Sequence, residues 1–356
     1  MGIGGKLSMM SSICRISIYY ILLLTMAIAS GCRKNKDDEN SRSSPVIYVV
    51  GYEYNDSAGR TSIAKIWENG ISTNLTDGKS FAQPTSVFVS GNDIYVVGSE
   101  IKAGINVARL WKNGVATNLT DGSHDAAARS VFVAGTDVYV LGIENDGRKF
   151  VPKVWKNEVP TELRHGSGNV DVSSIFVKNA DIYAAGAEFN GDPATNGAKL
   201  WKNGIDTILS KVGKLSGVIL LDNDIVTTGY YGGNVDRSTA AVWKNGILGS
   251  IQTDLYYSSY ASSLHAVNNN IYISGSGINF SGTSVAVVWK NGIPINLSDG
   301  MNYAIAMSVY ADSSSYYAVG YEYINGQHVA KLWTNGVNNN LTDGKGKSYA
   351  MSVFVK

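Results

Sequence analysis

Reactive chemistry has few places to start in this sequence. The 356 residues include two cysteines, Cys14 and Cys32, both in the first tenth of the chain. Everything after Cys32 therefore lacks a disulfide framework, a thiol nucleophile and a cysteine metal site. The four histidines, at 124, 165, 265 and 328, have no metal-ligand spacing. The sequence has no Gly-rich phosphate loop, no His-Glu-x-x-His, no Gly-x-Ser-x-Gly, no EF-hand aspartate series and no Ser-x-Asp-x-Gly-x-Thr-Trp box. Carboxylates are plentiful, which leaves an acid/base pair open, but none stands out. The expectation is no catalytic residue, no metal and no cofactor. With 30 Lys+Arg against 29 Asp+Glu the formal charge is +1, and nucleic acid is not an expected partner.

Charged residues do recur at fixed places. Glu53, Glu100, Glu144, Glu188 and Glu322 each follow a similar apolar run, and Lys65, Arg109, Lys153, Lys199 and Lys331 each lie two residues before a Trp. Where Tyr231 and Gly277 replace the Glu, Ala241 and Val287 replace the base. Coupled loss points to cross-strand ion pairs; a ring of acidic catalytic residues is the sharper alternative. Asn-Leu-Thr or Asn-Leu-Ser recurs at Asn74, Asn118, Asn296 and Asn340 and reads as turn chemistry. Asp56-Ser-Ala and Asp206-Thr-Ile resemble the short O-glycosylation motif of Bacteroidetes. His265 holds the position of Phe88 and Phe132 and is expected in the core or lining a channel.

The elements that carry these residues repeat. All seven Trp, at 67, 111, 155, 201, 243, 289 and 333, form one series with spacings of 42 to 46 residues. Each block reads as four strands, as in Ser86-Val-Phe-Val, Asp93-Ile-Tyr-Val-Val-Gly, Ala108-Arg-Leu-Trp and Ala116-Thr-Asn-Leu. Asn-Gly joins the third strand to the fourth, a type I′ hairpin signal; Asn occurs in all seven blocks and Gly in six, Asn157-Glu158 being the exception. Four-stranded units at this period predict an all-β fold, a seven-bladed β-propeller spanning 46–356. Val46-Ile-Tyr opens on a second strand and Met351-Ser-Val-Phe-Val ends on a first strand, so the two are expected to complete one blade and close the ring. The blocks resemble WD-repeat and kelch propellers in architecture only, and also repeat lipoproteins with Trp-Lys-Asn-Gly motifs. Packing between blades accounts for the Trp, and the indole is the expected close neighbour of Gly51, Gly98, Gly142, Gly186, Gly229, Gly275 and Gly320.

In such a ring the second-to-third and fourth-to-first loops share one face, and here they are the variable ones. Ligand binding is expected there, at Tyr230, Tyr231, Tyr256, Tyr257, Tyr260, Tyr303 and Tyr349, with Arg129 at the axial mouth. These tyrosines covering blade edges is the plainer reading.

The N-terminus supplies an address. Lys6 and Arg15 precede 13 mostly apolar residues, 16–28, too few to span a bilayer, which takes about 20. Ala29-Ser30-Gly31-Cys32 follows and resembles a bacterial lipoprotein signal, which implies cleavage and acylation (palmitate) at Cys32. An ordinary secretory signal cut near Ser30 is the alternative. The expected organisation is a signal peptide over 1–31, with Met9 or Met10 as possible starts, then lipidated Cys32 and a flexible tether over 32–45. Lys36-Asp-Asp-Glu39 resembles the export signal of Bacteroidetes surface lipoproteins. The resemblance implies an outer-membrane, cell-surface location and membrane contact through the lipid only. The expected function is a monomeric, non-catalytic binding or scaffold propeller for a protein or glycan; a carbohydrate-active or other hydrolase with an axial site is the alternative.

Overall fold

The computed structural model describes residues 44–356 except 57, 193, 235 and 236, together with Met1. Cys32, the apolar segment and the tether lie outside the described residues. From Pro45 to Lys356 the chain forms one compact unit of twenty-eight strands, β1–β28 in chain order, grouped in seven four-stranded antiparallel sheets. This is a seven-bladed β-propeller. Blade 2 is the type: β4 (Ala82–Ser90), β5 (Asp93–Lys102), β6 (Ile105–Lys112) and β7 (Val115–Asn118) follow one another in space as in sequence.

The hairpins form because their turn residues leave the backbone one choice. All seven third-to-fourth turns put two residues at positive φ, for example Asn113 at 51° and Gly114 at 81°. Glu158 takes the second place at φ 70°, so Gly is dispensable there. Asn is not, because its side chain has a second task. The Asn113 Oδ1 accepts the Ile94 N–H at 2.8 Å, and the same bond recurs at Asn69, Asn157, Asn203, Asn245, Asn291 and Asn335. Each turn thus also fixes the start of the second strand.

Blades pack through seven apolar clusters, one per interface, and each contains one Trp. Trp155 of the third blade sits among Val97, Leu110 and Leu119 of the second, and Trp67 of the first among Val319 and Leu332 of the seventh. None of the seven is more than 2% exposed. The five ion pairs lie within blades. Glu53–Lys65 (2.7 Å), Glu100–Arg109 (3.3 Å), Glu144–Lys153 (2.5 Å), Glu188–Lys199 (2.6 Å) and Glu322–Lys331 (2.9 Å) each span a diagonal of the second and third strands. They are more enclosed than surface pairs. The Glu188 and Lys199 side chains are 0% exposed, and Lys199 also reaches Asp206 at 2.7 Å. Burial alone would raise the Glu188 carboxyl, but the Lys199 ammonium and the N–H groups of Gly166 and Gly168 hold it below its ordinary value.

The ring closes through β28 (Ser348–Val355), which pairs antiparallel with β1 (Ile47–Tyr54) from Ile47↔Val355 to Glu53↔Ser348. Val46 and Lys356 exchange backbone bonds beyond it, at 2.8 and 3.0 Å. Val353 and Val355 are each 5% exposed, and Phe354 packs against the cluster between the first and second blades. Burying a large apolar side chain is worth about 1.5–3 kcal/mol, against a domain margin of about 5–15 kcal/mol. Deleting 351–356 is therefore expected to aggregate the protein or lower its melting temperature sharply; calorimetry showing an unchanged transition would mean that ring closure contributes little.

Candidate functional site

The axial channel is built by a repeated irregularity. The innermost strands are β4, β8 (Ala126–Ala134), β12 (Asn169–Lys178), β16 (Lys214–Leu221), β20 (Ser258–Val267), β24 (Ala304–Ala311) and β28, which contact one another around the ring. The sequence reading starts these strands at the Ser of Ser-Val-Phe-Val. In the structure they begin about four residues earlier, and each carries a one-residue bulge at the junction. The bulged residues are Thr85, Arg129, Ser173, Ser216, Ser262, Met307 and Met351.

The bulge corrects the expected role of the strand glycines. Just before it, a first-strand carbonyl, not the indole, is the close neighbour of the second-strand glycine. A Cβ on Gly98 would lie 2.1 Å from the Gln83 carbonyl oxygen, and one on Gly320 would lie 1.9 Å from that of Ile305. The indole is a lesser neighbour, at 2.9 Å from a Cβ on Gly142.

All seven bulged residues and the six serines that follow them line a cavity of about 120 Å³ on the axis. The serines also stitch blade to blade: Ser86 Oγ accepts the Val131 N–H at 3.2 Å, and Ser130 Oγ accepts that of Ile175 at 3.2 Å. Thr85 and Ser216 donate to the next blade, to the Ala128 and Ala261 carbonyls at 3.0 and 2.7 Å. In the fifth blade Gly217 stands in the serine's place, and a Cβ there would meet Leu264 Cδ2 at 2.1 Å.

At the short-turn end of the channel stands a ring of side chains: Phe354, Phe88, Phe132, Phe176, Ile219, His265 and Tyr310. Adjacent aromatic centroids are 4.1–5.0 Å apart. His265 stands where other repeats have Phe, and the same column in every repeat is the sequence signal for the whole ring. The His265 Nδ1 accepts the Ala311 N–H at 3.2 Å, which suits a neutral imidazole.

At the opposite end the expected tyrosines fall into separate groups. Tyr230 and Tyr260 meet edge to face at 5.1 Å, and the charge of Asp171 bears on Tyr230. Lys214 holds Asp171 at 2.5 Å, while Arg129 Nε stands 3.7 Å from the other carboxylate oxygen. Tyr303 and Tyr349 join a second group with Tyr52, Tyr54, Tyr321 and His328. There Tyr349 stacks on Tyr52 at 4.9 Å, Tyr321 meets it edge-on at 4.8 Å, and Tyr303 stacks on Tyr321 at 6.2 Å. The Tyr349 hydroxyl bonds His328 Nδ1 at 2.6 Å. Burial raises the Tyr52 and Tyr321 hydroxyls, and adjoining tyrosines add to it. Tyr303 and Tyr323 leave 43% of their surface exposed on this group. Beside it lies a cleft of about 300 Å³ lined by Tyr54, Asn55, Asp56, Gln327 and Lys345–Lys347.

The other three stand apart. Tyr231 lies edge-on to Trp243 at 6.4 Å, and Tyr257 lies under the Arg237 guanidinium at 5.6 Å. Tyr256 is 4% exposed, inside the sixth blade and not on its surface. It fills the space that Glu and base occupy elsewhere: a Cβ on Gly277 would lie 2.2 Å from its ring. Its hydroxyl donates to Asn296 Oδ1 at 2.6 Å, and burial pushes it up to about 12. Among the described residues no three His, Cys, Asp or Glu are grouped to hold a metal ion.

No family model and no curated protein matches the chain. Among solved structures it is similar to the Pyrococcus horikoshii acylaminoacyl peptidase, with a TM-score of 0.51, 15% identity, and coverage of 85% of this chain and 51% of that one. The chain thus spans about half the length of that peptidase. It is also similar to the β-propeller domain of the trilobed protease from Pyrococcus furiosus, with a TM-score of 0.50, 14% identity, and coverage of 85% and 95%. Both likenesses are of fold. The propeller of the trilobed protease has an open velcro topology, whereas here β28 pairs with β1.

Burial also sets a pH dependence. It pushes the His265 imidazole down to about 4, so the folded ring holds it neutral. The unfolded chain takes up its proton near pH 6.5, the ordinary value. This stabilisation is full above that pH and is lost as pH falls to about 4, at up to about 3 kcal/mol. His265→Phe is expected to remove that component, so that urea unfolding at pH 7 and pH 4 differs less than in wild type.

Proposed function

We propose that this chain is a lipid-anchored, surface-exposed binding propeller, non-catalytic, whose variable-loop face takes a glycan. The observation that carries the reading is the aromatic group around Tyr349, with Tyr303 and Tyr323 exposed on it and a polar cleft beside it. Flat aromatic faces suit the C–H face of a sugar, and adjacent amide, carboxylate and ammonium groups suit its hydroxyls. The channel adds hydroxyls, thioethers and one guanidinium; no carboxylate lines it among the described residues. The likeness to peptidase propellers favours the second reading, a hydrolase with an axial site.

On a glycan array the protein is expected to bind a defined set of glycans, with Tyr303→Ala and Tyr323→Ala each weakening binding tenfold or more. Turnover of a fluorogenic glycoside or peptide by the unaltered protein would replace this reading with the hydrolytic one.

The anchor rests on Ala29-Ser30-Gly31-Cys32. Mass spectrometry of the mature N-terminus is expected to find acylated Cys32, and Cys32→Ser is expected to release the protein from outer membranes. An unmodified terminus at Ser30 would make it a secreted propeller.

A further inference from the structure

Five serine hydroxyls of the axial channel accept a hydrogen bond without donating one among the described residues. Ser86, Ser130, Ser174, Ser308 and Ser352 each use the hydroxyl oxygen to accept a backbone N–H from the next blade. Among the described residues none of these five gives its own proton to a protein acceptor. Accepting a bond polarises a hydroxyl and makes its proton a better donor. The charge is one-sided too. Arg129 is the one charged residue of the described channel lining. Its buried Nε has no hydrogen-bond partner, and Asp171 stands beyond hydrogen-bond reach at 3.7 Å. Asp171 is already met by Lys214 at 2.5 Å. The Asp171 Oδ1 that faces Arg129 has no hydrogen-bond partner either, and Arg129 and Lys214 share this one carboxylate, so the three groups together keep one net positive charge.

We infer that the axial channel is a binding site for one small oxyanion, clamped by Arg129 and the surrounding serine hydroxyls. The guanidinium fork matches two oxygens of a carboxylate, phosphate or sulfate. The cavity of about 120 Å³ has room for one such group. The bulge places Arg129 for this role: the extra residue adds a second side chain to the channel lining beside the in-register Ser130. The site is separate from the aromatic group and does not depend on the glycan reading.

The test is thermal denaturation at constant ionic strength, with chloride exchanged for inorganic phosphate, sulfate or acetate. Wild type is expected to gain several degrees with at least one oxyanion, saturably. Arg129→Gln is expected to lose the response, and Tyr303→Ala to keep it. Ser173→Ala, which retains the charge, is expected to shift the half-saturating concentration upward several-fold, and it serves if Arg129→Gln does not fold. Response to phosphate or sulfate but not acetate assigns a free inorganic anion; response to acetate as well assigns a carboxylate, including one borne by a larger ligand. No response in wild type, or an equal response in wild type, Arg129→Gln and Ser173→Ala, would overturn the proposal.

Discussion

One carbonyl per blade, just before a bulge, governs the centre of the molecule. It occupies the volume where a side chain on the second strand would begin, so glycine is required opposite it, as at Gly98 and Gly320. The bulge adds a single side chain to the channel lining and leaves the following serine placed to accept an N–H from the next blade. Channel lining, blade-to-blade stitching and the glycine column are thus one constraint seen from three sides. A larger residue at any of these glycines would press on backbone, which cannot move without shifting the channel.

Outward from the axis, control passes to side chains. The indole wedges adjacent blades apart at a fixed spacing, and the diagonal ion pair fills the space next to the second and third strands. Because Lys199 and Glu188 are wholly enclosed, removing Lys199 alone would strand a buried carboxylate. The sixth blade meets the same need differently, with the Tyr256 ring over Gly277 and its hydroxyl on Asn296. Glu and base were lost there together because one aromatic side chain replaced both.

Much of this was legible in the residues. The Trp series gave the blade count, Asn-Gly gave the hairpins, and the split terminal strands gave the closure. Coupled replacement at Tyr231 and Ala241 exposed the ion pairs. The bulge was not legible. The strand before it reads Ala82-Gln-Pro in one blade and Lys214-Leu in another, since alternate positions face channel and core and share no alphabet. Without the bulge, the glycine column was assigned to the indole. Loop membership marks the tyrosines, and that is a statement about sequence neighbours. Grouping Tyr303 and Tyr349 with Tyr52 depends on the joint between first and last blades, far apart in the chain.

That joint has a further consequence. Ser352-Val-Phe-Val355 is identical to Ser86-Val-Phe-Val89 and Ser130-Val-Phe-Val133. The strand that seals the ring therefore carries the same recognition code as its siblings, and β1 of a second molecule presents the same docking edge. Sealing within one chain must overcome the entropy of bringing residues about 300 positions apart together. Between chains, the only cost is encounter, which falls as concentration rises. Crowded refolding thus favours strand exchange, linking copies through the contact that otherwise makes each one whole.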